Sequence, residues 1–300
     1  MTSPNLNVDE IRTVAVLGGG TMGNGIAHVF ARCGYSVILR DVEQRFLDHA
    51  AGTISKNLDR EIKKGQVAPA DKPQILGRIE FVTDLAAITR ADFAIEAVPE
   101  KIEIKREVLA AADRVLRPAA ILATNTSSIS VTTLAGATGR PDRFLGMHFM
   151  NPVPVMALVE VIRALQTSDA TFDTAMKLCA RIEKKPVAVN DSPGFVSNRV
   201  LMPLINEAAF CVLEGVATPE SVDAVMKLGM NHPMGPLELA DYIGLDVCLD
   251  VLEVLLQGFG DPKFRPCPLL RKMVSAGWLG RKSGRGFYTY EIEKRSPTGQ

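Results

Sequence analysis

The sequence predicts an α/β protein: an N-terminal, mostly parallel sheet covered by helices, followed by a C-terminal all-helical domain. Three observations predict it. Short β-branched runs alternate with amphipathic stretches as far as about residue 190. Beyond that point only helical spacing remains. The first run ends in the cluster "LGGGTMGNG", which turns a strand directly into a helix. The expected domains are residues 1–190 and 191–300.

The elements follow in order. "RTVAVLGGG" reads as a strand entering a tight turn, and "TMGNGIAHVFARCG" as a helix stopped by Gly34. "YSVILRD" is the next strand. "EQRFLDHAAGTISKNLDREIKKG" is a long amphipathic helix whose cationic end and Gly65 mark its stop. Strands are expected at "RIEFV", "ADFAIEAV", "AILATN" and "RFLGMHF", with "KREVLAAADRVL" as an intervening helix. "VPVMALVEVI" is expected to return as a further strand. From "DSPG" onward, Ser192-Pro193 is read as a helix start running to Gly215. "TPESVDAVMKLG", "GPLELADYIGLDVCLDVLEVLLQGFG" and "CPLLRKMVSAG" continue the helical pattern. "AGWLGRKSGRGF", with Trp278, reads as a packed terminal turn, and "KRSPTGQ" as a frayed tail.

Composition narrows the function classes. The chain has 300 residues, 47% hydrophobic and 23% charged, so a large core is available. Its 34 basic residues balance 34 acidic ones, which points to neither a nucleic acid nor a membrane surface as partner. Cys33, Cys179, Cys211, Cys248 and Cys267 are scattered without a C-x-x-C. That suits free thiols in a reducing compartment rather than disulfides or a zinc site, and no metal is expected. The opening "MTSPNLNVDE" lacks the basic flank and apolar stretch of a signal peptide. A cytoplasmic location is the expectation.

The glycine cluster carries the first chemical signal. Gly18, Gly20 and Gly23 form G-x-G-x-x-G between a strand and a helix. The first glycine permits the tight turn, the second lets backbone approach a pyrophosphate, and the third lets helix and strand pack closely. The helix start, Thr21 and Met22 included, then offers amides and a positive dipole to phosphates. Asp41 follows Gly23 by 18 positions, at the end of the next strand. A carboxylate there accepts bonds from ribose hydroxyls and repels a 2′-phosphate, so NAD is favoured over NADP. Arg40 weakens that preference slightly.

The second signal is "GMHFMNPVPVMALVEVI". His148 sits in an apolar run and Glu160 follows twelve positions later. Alone, such a histidine is most simply a buried structural residue. In a dinucleotide-binding fold, however, the nicotinamide lies beyond the carboxyl ends of the strands. "AILATNTSSIS" and "RFLGMHFMNP" both leave strands for turns, so Asn125, Ser127, His148 and Asn151 are expected to reach the same crevice. A carboxylate on one imidazole nitrogen fixes the tautomer and leaves the other for proton transfer, as alcohol oxidation requires.

The blocks "GGGTMGNGIA", "NTSSIS", "GMHFMNPVPVMALVEVI", "DSPGFVSNR", "MKLGMNHPMGPLELADYIGLD" and "GWLGRKSGRGFY" together resemble the short-chain 3-hydroxyacyl-CoA dehydrogenase family, most closely its bacterial branch acting on 3-hydroxybutyryl-CoA. The likeness spans about residues 12 to 290. It implies an N-terminal Rossmann-type domain, a site between the two domains, and interconversion of (S)-3-hydroxyacyl-CoA and 3-oxoacyl-CoA with NAD in butanoate or fatty-acid metabolism. By the same resemblance, His148 is the general acid/base, Glu160 its partner, Ser127 the hydroxyl that bonds the substrate's 3-oxygen, and Asn198 a fourth polar group of the catalytic site. Glu100 and Lys105 in "VPEKIEIK" would lie near the cofactor, and Lys64 would meet CoA phosphates. The helical domain would close over the acyl-CoA and pair two subunits as a homodimer. Met150 stands where many relatives carry Phe, which implies a slightly altered acyl pocket. Two alternatives share the architecture: a dehydrogenase for another β-hydroxyacid, and a non-catalytic NAD-binding protein like the lens crystallins of this family. His28, His49 and His232 are read as structural or solvated.

Overall fold

The computed structural model describes residues 6–291; the tail "KRSPTGQ" lies outside them. The chain divides into two compact units, Met1–Ser192 and Pro193–Gln300.

The first unit contains β1 (Thr13–Leu17), α1 (Thr21–Arg32), β2 (Ser36–Arg40), α2 (Gln44–Lys63), α3 (Lys72–Gly77), β3 (Ile79–Val82), β4 (Phe93–Glu96), α4 (Ile102–Val115), β5 (Ile121–Thr124), α5 (Val131–Ala135), β6 (Phe144–Phe149), β7 (Leu158–Arg163), α6 (Asp169–Arg181) and β8 (Lys185–Asn190). The sheet order is β3-β2-β1-β4-β5-β6-β7-β8. The first six strands are parallel; β7 runs antiparallel to β6, and β8 parallels β7. This is the Rossmann order with two strands added at one edge, and its direction of winding reverses between β1 and β4, where such folds bind dinucleotides.

The sequence explains the layering. β4 and β5 are buried at every residue, as expected of strands covered on both faces. In α1 every residue from Gly23 to Ala31 is buried, so this helix is enclosed on all sides. α2 buries one stripe, Leu47, Ala50, Ile54, Leu58 and Glu61, at helical spacing. Phe93, fully buried in β4, anchors the central core. Truncation to Ala there costs about 3–5 kcal/mol.

Four elements, α3, α5, α6 and β8, were not expected from sequence. α6 and the edge strand β8 lie in the segment before residue 190. β8 begins "KP" and is largely exposed, so it lacks the apolar run of the inner strands.

The second unit contains α7 (Ser197–Leu213), α8 (Pro219–Gly229), α9 (Pro236–Ile243), α10 (Leu245–Phe259) and α11 (Pro268–Ser275) around Met202, Ile205, Leu237, Leu252, Leu255 and Leu270. The expected helix start at Ser192-Pro193 is corrected. α7 begins at Ser197, because Gly194 and Phe195 take positive φ values of 72° and 50° and form a turn instead. The stretch read as one helical signal after Gly235 is two helices, broken at Gly244 with φ 108°. Buried Asp241 accepts the amides of Phe287 and Tyr288 and the Tyr290 hydroxyl, each at 3.0 Å, which fastens the terminal turn. Arg285 stacks 3.6 Å over Trp278 in that turn. The five cysteines are free thiols. No helix among the described residues is long and apolar enough to cross a membrane.

Candidate active site

The glycine turn is built for close approach. Gly18 has φ +108°, and a Cβ there would lie 2.7 Å from the Ala97 carbonyl oxygen. A Cβ on Gly23 would lie 1.7 Å from the Gly18 oxygen, so α1 can start only where it does because position 23 has no side chain. Gly20 differs: nothing lies within 4 Å of its Cβ position. It caps α1 without a side-chain bond. The first-turn amides beside exposed Thr21 are therefore available to an anion, while Met22 turns inward onto the core. Asp41, after β2, accepts the Gly19 amide through Oδ2 and the Val42 amide through Oδ1, both at 2.6 Å. A carboxylate thus stands beside the phosphate turn, where a ribose would lie. Open backbone, an uncapped helix start and this acid fit NAD.

His148 and Glu160 are direct cross-strand partners in the antiparallel β6–β7 pair. Partners share a face and sit 4.5–5.5 Å apart at Cβ. The register therefore turns a twelve-residue spacing into a contact: His148 Nδ1 lies 2.8 Å from Glu160 Oε2. Both are buried, at 6% and 2% exposure. A carboxylate accepts only, so Nδ1 carries the proton in this contact. Gly146, two residues earlier, permits the tight pairing, since a Cβ there would meet Ile162 Cβ at 2.9 Å.

The connection from β6 to β7 is held from below. Buried Lys184 donates to the carbonyls of Val153 at 2.6 Å and Met156 at 2.8 Å. Burial pushes its pKa down, with Arg32 adding repulsion. Asn125 Oδ1 accepts the Phe149 amide at 2.9 Å, tying the end of β5 to the residue after His148. Asn151 is exposed two residues further on.

Ser127 lies in the turn after β5, and Glu100 organises that turn. Glu100 Oε1 accepts the Thr126 hydroxyl at 2.5 Å and the amides of Ser127 at 2.8 Å and Ser128 at 3.0 Å. Burial raises the Glu100 pKa, but the Lys105 ammonium and the bonds from Thr126 and Ser127 outweigh it and hold it below the usual carboxylate value. Lys105 is 1% exposed and bridges Glu100 at 3.2 Å to Glu96 at 2.7 Å. Sequence reasoning missed Glu96. The available signal was a charged residue ending the apolar run "FAIE", which a doubly covered strand tolerates only with a partner.

Lys64 caps the end of α2 and lines a cavity of about 1010 Å³ in the first unit. Arg32, Arg60, Arg78 and Arg181 share its wall with Glu61, Asp71 and Glu183, and Pro152, Pro154 and Val155 close one side. Asn198 belongs to the second unit, in the first turn of α7, where its amide donates to the Gly194 oxygen at 3.1 Å.

Strand order and phosphate turn define a dinucleotide-binding oxidoreductase-type fold carrying a histidine–carboxylate pair. The family models for the NAD binding domain and the C-terminal domain of 3-hydroxyacyl-CoA dehydrogenase match residues 13–192 and 194–290. The chain belongs to the 3-hydroxyacyl-CoA dehydrogenase family. It is 55% identical over 275 residues to a probable 3-hydroxybutyryl-CoA dehydrogenase of Deinococcus radiodurans, covering 92% of this chain and 99% of the relative. It is 51% identical over 288 residues to the 3-hydroxybutyryl-CoA dehydrogenase of Bradyrhizobium diazoefficiens, covering 96% and 98%. The crystal structure of (S)-3-hydroxybutyryl-CoA dehydrogenase from Ralstonia eutropha superposes with a TM-score of 0.92 at 51% identity, over 94% of this chain and all of that one.

Proposed function

We propose that this protein interconverts (S)-3-hydroxybutyryl-CoA and acetoacetyl-CoA with NAD(H), using His148 as general acid/base. The observation that carries the reading is the buried His148–Glu160 pair at 2.8 Å. Bound NAD⁺ supplies the hydride acceptor. Glu160 holds the Nδ1 proton, so Nε2 takes the substrate's hydroxyl proton during oxidation, and the buried carboxylate stabilises the imidazolium formed. In the reducing direction His148 returns that proton to the 3-oxygen. Ser127 donates to the same oxygen, and Asn198 completes the polar lining of the site.

Gly18, Gly20, Thr21, Met22 and Gly23 receive the pyrophosphate, and Asp41 takes the adenosine ribose, which disfavours the extra phosphate of NADP. Glu100, Lys105, Asn125 and Asn151 act around the nicotinamide end. Lys64 meets a phosphate of CoA; the cation-rich wall of its cavity supports that role. Residues 1–190 serve as the cofactor domain and 191–300 as the substrate and dimerisation domain. Exposed Val216, Val225, Leu228 and Met230, on and beside α8, support pairing of two copies through the second unit.

The test is NADH oxidation with acetoacetyl-CoA, comparing wild type with His148→Gln. Fast wild-type turnover and a variant slowed by about 10²-fold or more support the reading. An unaffected variant removes His148 from the chemistry. NADH binding without turnover points to another β-hydroxyacid or to a non-catalytic protein.

A further inference from the structure

We propose that Glu96 is a positioning residue of the active site, acting through Lys105 and Glu100 on the turn that carries Ser127. The inference rests on the proposed role of Ser127 and adds a residue to it.

The geometry forms one chain of contacts. Glu96 is 0% exposed at the carboxyl end of β4, the strand beside the winding reversal. An ionised carboxylate persists in such a place only when its oxygens are satisfied. Oε1 accepts the Val98 amide and the Lys105 ammonium, both at 2.7 Å, and Oε2 accepts the Thr124 hydroxyl at 2.6 Å. Lys105 donates to Glu96 at 2.7 Å and to the Val98 carbonyl at 3.2 Å, and its ammonium stands 3.2 Å from Glu100 Oε2 as an ion pair. Glu100, aimed by that ammonium, then gathers Thr126, Ser127 and Ser128 through one oxygen.

Glu96 reaches the turn by a second route as well. The Thr124 hydroxyl that donates to it accepts the Thr126 amide at 3.2 Å. Two independent paths therefore run from one buried carboxylate to the residues flanking Ser127. Lys105 thus stands between two carboxylates, Glu96 and Glu100. If Glu96 becomes neutral, Lys105 keeps a single carboxylate partner and pulls Glu100 toward it and away from the turn.

The experiment is a double-mutant cycle between Glu96→Gln and Ser127→Ala, read as kcat for NADH oxidation with acetoacetyl-CoA. Hydrogen exchange over residues 124–131 is measured alongside. Glu96→Gln alone is expected to lower kcat by about 10- to 100-fold, the size of a small misplacement of a reacting group. In the Ser127→Ala background it is expected to cost less than about threefold, because the group it positions is gone. Amides 126–128 are expected to exchange faster in Glu96→Gln, with β1 and α1 unchanged. Penalties that multiply, or unchanged exchange in the turn, overturn the proposal and leave a merely structural Glu96. The exchange readout needs no turnover, so a wild type inactive on acetoacetyl-CoA would sink the substrate reading without deciding this one. If Glu96→Gln does not fold, Thr124→Val removes one of the carboxylate's bonds and is expected to show the same coupling at smaller amplitude.

Discussion

The first unit holds two buried histidine–glutamate pairs with opposite character. His148 and Glu160 face each other across antiparallel strands at 2.8 Å, with the imidazole one residue before the carboxyl end of β6. His28 and Glu61 join α1 to α2, with Nε2 3.2 Å from Oε2. His28 is completely buried, and its contact is an ion-pair distance without hydrogen-bond alignment. Glu61 is also bound by Arg32 at 3.0 Å, and Arg32 in turn by Glu183 at 3.1 Å. The second pair therefore belongs to a cross-helix ion network. Residue type and proximity alone do not distinguish the pairs; one is an aligned contact between strands, the other part of an ion network between helices.

The largest expected effect separates the two histidines. His148→Gln should lower kcat by about 10²- to 10⁴-fold with little change in melting temperature. His28→Gln should do the reverse, keeping kcat within about threefold while destabilising the fold; steady-state kinetics and a thermal melt on each variant decide it. If His28→Gln instead abolishes turnover with stability intact, the contrast fails. Next comes Glu160→Gln, which leaves His148 without its orienting carboxylate and should cost about 10²-fold or more in kcat.

Glu61→Gln tests the other partner. Burial raises the Glu61 pKa, but His28 and Arg32 outweigh it and hold it below the usual 4.5. A carboxyl lowered on folding contributes stability above its unfolded pKa and loses it as pH falls through the folded one. The gap in melting temperature between wild type and Glu61→Gln should thus be present at pH 7, worth about 1–3 kcal/mol, and shrink below pH 4.5. A gap that persists at acid pH would show packing, not charge. The smallest effect is Lys64→Ala, on the cavity wall next to Glu61. The KM for acetoacetyl-CoA should rise about 1.4- to 5-fold, more at low salt, as for an exposed ion pair.

Much of this was readable in the sequence because local signals and global fold agree. β1, the glycine turn and α1 combine strand composition, a positive-φ glycine and helical spacing within twenty residues of chain. The His148–Glu160 pair was legible as types and spacing, but its physical cause, a cross-strand register, needed the sheet. β8 escaped because an exposed edge strand with Pro186 lacks the apolar signature. The Gly244 break escaped because Gly inside an apolar helical pattern is ambiguous without its φ. Glu96 was hidden by distance: its partners Lys105 and Thr124 lie on different elements.

The reversal of direction at β7 has a consequence for how this sequence can vary over evolutionary time. Side chains alternate faces along a strand, so an insertion or deletion of one residue within β6 or β7 sends everything beyond it to the opposite side. His148 and Glu160 would part company even with both residues intact. Gaps in descendants of this gene should therefore fall in the connection between the two strands, at residues 150–157, and spare the strands themselves.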